Sequence, residues 1–390
     1  MKKDIIFNLI ATALPIAVLQ IIVLPLVNAY GGLGEYGHIV AIWSILSSIP
    51  TVAGNAICNA RQLIDRQYKF ANDFNKLIIY VTTIFSLLTV CVSIAYQAEL
   101  DELIAIAISS ILLILFNYGS VFYRLSINFK YTLIANILLS LGYLLGFFLY
   151  CMTNMWYLIF IVGQGISLIF IIFTTPWRKE KCGWTLHRNQ VVRISSELLF
   201  SLLLAGIANY GDRLILVPLA GNEVLSIYYI SSLVGKLMSM AAGPTATVLL
   251  SYLVRKESIE KLPLKKLMKI ALLMSLLFWA MACILSYPIL SLIYPNEYFI
   301  ALHYVPITAA ASVFVSMCSL FNSILLRFAK TVLQVALNAV YLGILLIVST
   351  FLFFSFGLLG FCFGILAASL TKFVLIIFFI ARAKSALSNK

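Results

Sequence analysis

The sequence predicts an all-α polytopic membrane protein with about twelve transmembrane helices in two six-helix lobes. Of its 390 residues, 63% are hydrophobic and 11% are charged, whereas a soluble chain carries roughly 25% charged residues. The apolar runs are about 20 residues long and do not alternate with polar residues, which is typical of spanning helices and not of a barrel. Because lipid offers no hydrogen-bond partners to the backbone, such runs must satisfy their own bonds as helices.

The distribution of the 27 Lys and Arg residues supports the number of spans and predicts their orientation. When the gaps between apolar runs are numbered alternately, the even gaps and both termini carry all of these residues except Arg213, Lys236 and Lys372, which lie within spans. The odd gaps carry no Lys or Arg, and their charged residues are all acids, such as Glu35 and Glu223. Since Lys and Arg near span ends are retained in the cytoplasm, both termini are predicted to be cytoplasmic.

The spans are justified in chain order by apolar length and by the breaks between them. The first follows Met1-Lys2-Lys3 and lacks a small-residue cleavage site, so it is predicted to be a helix and not a signal peptide. Short outer turns at 153–155 and 355–357 separate later spans. The predicted spans are approximately 6–28, 37–60, 77–97, 103–123, 131–152, 156–176, 195–219, 224–253, 265–286, 300–325, 331–355 and 358–380.

The longest cytoplasmic gap predicts the domain organisation. It divides the chain into an N-terminal six-helix lobe (1–176), a cytoplasmic linker (177–194) and a C-terminal six-helix lobe (195–390). The lobes resemble each other weakly, since the glycine turn that begins at Gly32 has a counterpart at Gly221, 189 residues later. Six spans per repeat predict a parallel repeat with a substrate path between the halves.

The polar residues within spans are the candidate functional groups. A charge near the bilayer centre costs roughly 2.5–3.5 kcal/mol, so its retention indicates a cavity or a partner. Lys236 lies among Ser231, Ser232 and Ser239, which favours a wet cavity wall. Arg213 and Lys372 either line the same cavity or extend to the nearer interface. Asp212 either caps a partner or couples transport to protons or cations.

Three arginines end spans on the cytoplasmic side: Arg61, Arg124 and Arg327. They are either positive-inside anchors or a ring of guanidinium groups suited to bidentate capture of phosphate. The three histidines are far apart and the seven cysteines form no CxxC pair, so no metal site or cofactor is predicted. The net charge of +13 is spread over many short segments, which indicates topology and not nucleic-acid binding.

Two segments carry a family resemblance. LPLVNAYGGLGEYG at 24–37, and YGDRLIL at 210–216 followed by Leu219-Ala220-Gly221, resemble bacterial polysaccharide-biosynthesis flippases. In that family an Asp-Arg pair in helix 7 precedes a glycine turn and a Tyr-rich helix 8, here Ile227-Tyr228-Tyr229. The outer turn Gly357-Leu358-Leu359-Gly360 is also similar to theirs. The resemblance is to Wzx-type O-antigen flippases of the multidrug/oligosaccharidyl-lipid/polysaccharide (MOP) exporter superfamily.

This resemblance implies a function without covalent chemistry. Such a flippase moves an undecaprenyl-pyrophosphate-linked oligosaccharide across the bacterial inner membrane, from the cytoplasmic to the periplasmic leaflet, by alternating access. It implies a cationic cavity and a MATE-like fold. The partners implied are a polysaccharide polymerase and a chain-length regulator, and the coupling implied is to a proton or sodium gradient. A multidrug exporter of the same superfamily is the near alternative. A membrane-embedded glycan polymerase or acyltransferase is the alternative from another class, which the short outer loops disfavour.

Overall fold

The computed structural model describes residues 2–65, 70–239, 264–328 and 331–388, and these ranges are helical almost throughout. A π-helical segment, Val18–Val23, joins the first two α-helices, and a 3-10 turn, Pro176–Lys179, follows the eighth. The described ranges contain no β-strand, which agrees with the predicted all-α class. Their α-helices are α1 Lys2–Ala17, α2 Leu24–Ser48, α3 Pro50–Ile64, α4 Ala71–Ile94, α5 Leu100–Gly119, α6 Val121–Leu125, α7 Phe129–Thr153, α8 Leu158–Thr174, α9 Arg188–Ser239, α10 Leu264–Ile293, α11 Tyr298–Leu302, α12 Val305–Phe328 and α13 Thr331–Ser388.

Three apolar helical segments are too long to cross a membrane once: Ile10–Ile64, Arg188–Ser239 and Val335–Arg382. The second has 52 residues, and would be about 78 Å long if straight, whereas a hydrocarbon core is about 30 Å thick. Five further segments of the described residues are each long and apolar enough for one crossing, and the apolar helix Leu158–Thr174 is slightly shorter. If each long segment crosses twice, the described ranges account for the twelve predicted spans.

Each long segment contains one glycine with a positive φ angle. Gly32, Gly221 and Gly357 have φ of 77°, 81° and 59°, a region that L-residues rarely adopt. All three lie at predicted outer turns, but the backbone on both sides is helical almost up to the glycine. Gly32 and Gly221, which are 189 positions apart, share the same extended ψ, near 180°. This common geometry supports the internal repeat.

Replacing Gly221 with alanine isolates the conformational role of this position. No atom lies within 4 Å of a Cβ built there, so the expected loss of about 1–3 kcal/mol in unfolding free energy comes from the backbone alone. Gly343→Ala is the matched control, because that glycine lies within α13 and its Cβ also meets open space. The control is expected to gain up to about 1 kcal/mol. Equilibrium unfolding in detergent micelles measures the unfolding free energy of both variants. Equal changes would show that the positive φ at Gly221 does not require glycine.

The described chain forms two compact units, unit 1 (1–210) and unit 2 (211–390). The predicted lobe boundaries at 176 and 195 stay a prediction. In unit 1, α7 packs closely on α8: a Cβ at Gly142 would lie 2.5 Å from the Cα of Gly163, and one at Gly146 would lie 2.5 Å from the Cα of Ile159. Such small-xxx-small spacing lets helix backbones approach within a membrane.

Unit 2 contains a core where α12 and α13 meet. Phe321 and Leu325 from α12 pack with Ile376 and Ile380 from α13, all of them at most 3% exposed. The surfaces of both units expose large apolar side chains, such as Phe173 in unit 1 and Phe351 in unit 2. Exposed apolar surface on this scale is typical of helices that are solvated by lipid.

Candidate functional site

The two limbs of α9 meet at a buried carboxylate. Asp212 lies nine residues before Gly221, and Tyr228 lies seven residues after it, so the break at the glycine brings them together. One oxygen of Asp212, Oδ2, accepts a hydrogen bond from Tyr228 Oη at 2.5 Å. The same oxygen pairs with Lys236 Nζ at 2.5 Å. The other oxygen, Oδ1, accepts from the amide of Arg213 at 3.0 Å.

Two tyrosines support the two cations of this cluster. The guanidinium of Arg213 lies 4.7 Å from the ring centroid of Tyr229, and Lys236 Nζ lies 5.3 Å from that of Tyr228. Asp212 is 6% exposed and Arg213 is 4% exposed, while Lys236 is half-buried. A cation over a tyrosine face is stabilised by the ring quadrupole, more so when water is excluded. We call Asp212, Arg213, Tyr228, Tyr229 and Lys236 the α9 cluster.

The α9 cluster unites three residues that the sequence singled out separately. Lys236 was predicted to line a wet cavity wall, and that role stays a prediction; the structure adds that its ammonium group is paired with Asp212. Arg213 was given an alternative role at the outer interface, but its side chain is buried within unit 2. Together, Asp212, Arg213 and Lys236 carry a net formal charge of +1. Tyr228 was not predicted to be a site residue, although the sequence carries the Tyr-Tyr pair at 228–229.

Lys372 belongs to a second hairpin of unit 2. It lies in α13, fifteen residues after Gly357, and its Nζ donates to Asn338 Oδ1 at 2.8 Å across that break. Its ammonium group also lies 4.8 Å from the ring centroid of Tyr341. The hairpin contacts the α9 cluster through an edge-on contact between Tyr228 and Phe361, with ring centroids 5.8 Å apart.

Arg61 lies at the centre of a different network, in unit 1. Its side chain is fully buried, and its donors reach Asp65 Oδ2 at 3.2 Å, Tyr118 Oη at 2.7 Å and Glu180 Oε1 at 2.5 Å. The guanidinium also lies 4.7 Å from the ring centroid of Phe122. Such a set of protein acceptors favours the anchoring role of Arg61 over capture of a ligand phosphate.

The same network fixes the linker to the helix ends of unit 1. Asn75, at the start of α4, donates from Nδ2 to Glu180 Oε2 at 3.0 Å and to the carbonyl of Lys181 at 3.3 Å. Asp73 accepts from the amide of Thr185 at 2.6 Å and also from its hydroxyl group. Burial raises the pKa of Asp65, although the Phe70 amide and the Arg61 guanidinium lower it in part. These carboxylates and amides were not predicted, because their partners are distant in sequence.

The structure gives fewer contacts for the two remaining arginines of the predicted cytoplasmic ring. Arg124 follows α5 in the short helix α6, is half-buried, and donates from NH1 to Asn59 Oδ1 at 3.1 Å. Arg327 lies near the end of α12, but its side chain falls outside the described ones. Neither the ring nor phosphate capture by these residues is tested, so both stay predictions. Within the described residues no group of three or more His, Cys, Asp or Glu is arranged to hold a metal ion.

The fold is similar to that of solved membrane transporters. A structure of the lipid II flippase MurJ in an inward closed conformation has a TM-score of 0.77 and 14% identity, over 96% of this chain and 87% of that one. An inward-facing multidrug resistance transporter of the MATE family, from the MOP superfamily, has a TM-score of 0.70 and 12% identity, over 97% and 99%. A MOP superfamily transporter from Pyrococcus furiosus, described as having a binding pocket of reverse polarity that suggests a different function, has a TM-score of 0.61 and 13% identity, over 98% and 96%.

These similarities support the predicted fold class. No family model and no curated protein sequence matches the chain significantly. At identities of 12–14%, the similarity establishes the fold alone. The structures compared are transporters and flippases, not enzymes. The chain is therefore a multi-pass membrane protein with the fold shared by MATE transporters and the MurJ flippase of the MOP superfamily.

Proposed function

We propose that this protein is a flippase that moves an undecaprenyl-pyrophosphate-linked oligosaccharide, such as an O-antigen repeat, between leaflets of the bacterial inner membrane by alternating access. The fold supports a transporter of the MOP superfamily, and a lipid II flippase is among the solved structures with this fold. The finer assignment to a Wzx-type protein rests on the resemblance at 24–37 and 210–221.

The α9 cluster is the observation that carries the proposal. It places a guanidinium and an ammonium group around one carboxylate in the interior of unit 2. Charged groups within transmembrane segments are costly, so their retention marks a substrate or ion pathway. Two cations beside a single acid favour an anionic ligand. A planar guanidinium is also suited to bidentate contact with phosphate oxygens.

The geometry suggests how phosphate binding is linked to the coupling ion, because phosphate competes with Asp212 for Lys236. Asp212 and Lys236 are joined directly at 2.5 Å, so Lys236 is available to a pyrophosphate only when Asp212 releases it. Protonation of Asp212, or binding of a cation to it, would remove this internal counter-ion. In the proposed cycle the incoming pyrophosphate replaces Asp212 as the partner of Lys236. It is held more tightly when Asp212 is protonated or bound to a cation. The polyprenyl tail remains in lipid throughout.

A multidrug exporter is the second candidate, because structures of multidrug resistance transporters share the fold over nearly the whole chain. Exporters of cationic drugs are expected to carry more unpaired buried carboxylates. Apart from the exposed Glu223 beside the turn at Gly221, Asp212 is the only acid within the described unit 2 helices, and it is paired with Lys236. The chemistry of the cluster therefore favours an anionic substrate.

Complementation distinguishes these two candidates. The chain is expressed, with the enzymes that assemble its own glycan, in a cell that lacks its native O-antigen flippase. We expect surface polysaccharide to be restored, and expect Arg213→Gln to abolish most of it because the buried guanidinium is lost. Arg193→Gln is the matched control on the same helix: its pair with Glu197 is exposed, with 81% and 64% of the side chains accessible, so surface polysaccharide should be retained.

Protein abundance is measured in parallel, so that loss of display is not confused with loss of the protein. No restored polysaccharide, accumulation of lipid-linked repeats and a gain in drug resistance would together overturn the flippase proposal in favour of the multidrug exporter. Equal display by Arg213→Gln and Arg193→Gln would retain the flippase but exclude the α9 cluster as its phosphate site.

A further inference from the structure

A groove runs along the surface of unit 2 between α10 and α12. Its volume is about 540 Å³, within the range of roughly 300–1,000 Å³ typical of small-ligand sites. Leu276 and Trp279 of α10 form one wall, and Ala310 and Met317 of α12 form the other. The lining residues recur at spacings of three and four on each helix, so each helix presents one continuous apolar face to the groove.

The groove has two different ends. Lys269 lines one end and is exposed, two residues before the apolar segment Ala271–Ile293. Trp279 lies near the other end, where its indole N–H donates to the carbonyl of Pro306 at 2.9 Å. This bond fixes the indole ring against the start of α12. The groove is therefore open to a charged group at one end and apolar beyond it.

The length of the groove matches one membrane leaflet. Ten residues separate Lys269 from Trp279, which is about 15 Å along a helix. A hydrocarbon core is about 30 Å thick, so the groove extends from the interface to about the bilayer midplane. One acyl chain of a phospholipid fits this depth, whereas an eleven-unit polyprenyl chain is much longer than a leaflet.

The positive charge at one end of the groove favours a lipid with an anionic head group. Among the described residues that line the groove, Lys269 is the only charged one and none is acidic. In the sequence it follows Lys265 and Lys266, so three lysines lie on the side that the charge distribution predicts to be cytoplasmic. Anionic lipids of the cytoplasmic leaflet are attracted to such basic segments next to a span.

We propose that the groove between α10 and α12 binds an anionic phospholipid, with one acyl chain along Leu276 and Trp279 and its phosphate paired with Lys269. The site lies wholly within unit 2 and does not depend on the identity of the transported substrate. It gives the protein a lipid-binding site separate from the α9 cluster.

Native mass spectrometry of the full chain in detergent tests this site. Phosphatidylglycerol and phosphatidylcholine with identical acyl chains are added in equal amounts. Near a membrane surface one lysine contributes about a fivefold preference for an anionic lipid. We therefore expect the complex with one phosphatidylglycerol to be about fivefold more abundant than the complex with one phosphatidylcholine. Lys269→Gln should remove the preference, while Leu276→Trp should fill the groove and remove the bound lipid.

Leu277→Trp is the matched control, because Leu277 is the next residue of α10, is 52% exposed and does not line the groove. It should retain the lipid like the original chain. If Leu276→Trp and Leu277→Trp lose the lipid equally, or neither loses it, the site is wrong. In a separate arm, undecaprenyl phosphate is added with phosphatidylglycerol. Its preferential retention, abolished by Leu276→Trp, would overturn the phospholipid assignment and give the groove to a polyprenyl carrier.

Discussion

Lys236→Ala is expected to destabilise the protein by about 3 kcal/mol, the lower end of the range for breaking a buried ion pair. The substitution leaves the Asp212 carboxylate, which is 6% exposed, without its ammonium partner. The hydrogen bonds from Tyr228 and from the Arg213 amide remain, and Lys236 keeps 26% of its side chain accessible. Both features limit the loss. Equilibrium unfolding in mixed micelles measures it, with Lys130→Ala, an exposed position in unit 1, as the control.

The double variant Asp212→Asn/Lys236→Met separates stability from transport. Removing both charges should recover most of the lost stability, because no unpaired buried charge is left. Surface polysaccharide should not recover, since the proposed phosphate ligand and the proposed coupling carboxylate are both gone. If the double variant transports normally, the pair is structural and the proposed competition between Asp212 and phosphate is wrong. If Asp212→Asn alone leaves the rate of transport and its pH dependence unchanged, Asp212 has no coupling role.

Arg61→Met is expected to destabilise unit 1 by about 3–5 kcal/mol, because it leaves the acids Asp65 and Glu180 without the guanidinium that neutralises them. Arg61 is fully buried and also donates to Tyr118. Because Glu180 lies in the linker, the same variant should loosen residues 177–188 from the start of α4. Limited trypsin digestion measures this, since Arg178 and Lys179 are exposed cleavage sites.

Arg193→Met is the control for this prediction, because the Arg193–Glu197 pair is exposed and pairs of this kind contribute about 0–1 kcal/mol. It should leave both the unfolding transition and the rate of linker cleavage unchanged. Glu180→Gln should accelerate cleavage with a smaller loss of stability than Arg61→Met. Unchanged cleavage in both variants would show that the network does not hold the linker.

The distribution of apolar and basic residues along the chain predicted the fold class, and the transporter-like fold agrees with it. Apolar length and the side on which Lys and Arg lie are local properties, because each span is satisfied by its own backbone bonds in lipid. The glycine turns were predicted for the same reason: a backbone break is encoded at one position, such as Gly221 or Gly357. The sequence also indicated which charges fall within spans.

The partners of those charges were decided only by the tertiary structure. Asp212 and Lys236 are 24 residues apart, and Arg61 and Glu180 are 119 apart, so no spacing rule relates them. The first pair depends on how two limbs of one helix pack around Gly221, and the second on where the linker returns to the end of α3. Electrostatic energy depends on distances of a few ångströms. The sequence by itself therefore determined the membrane-spanning class and the location of the charges, whereas side-chain packing decided that Lys236 is paired and that Arg61 is enclosed.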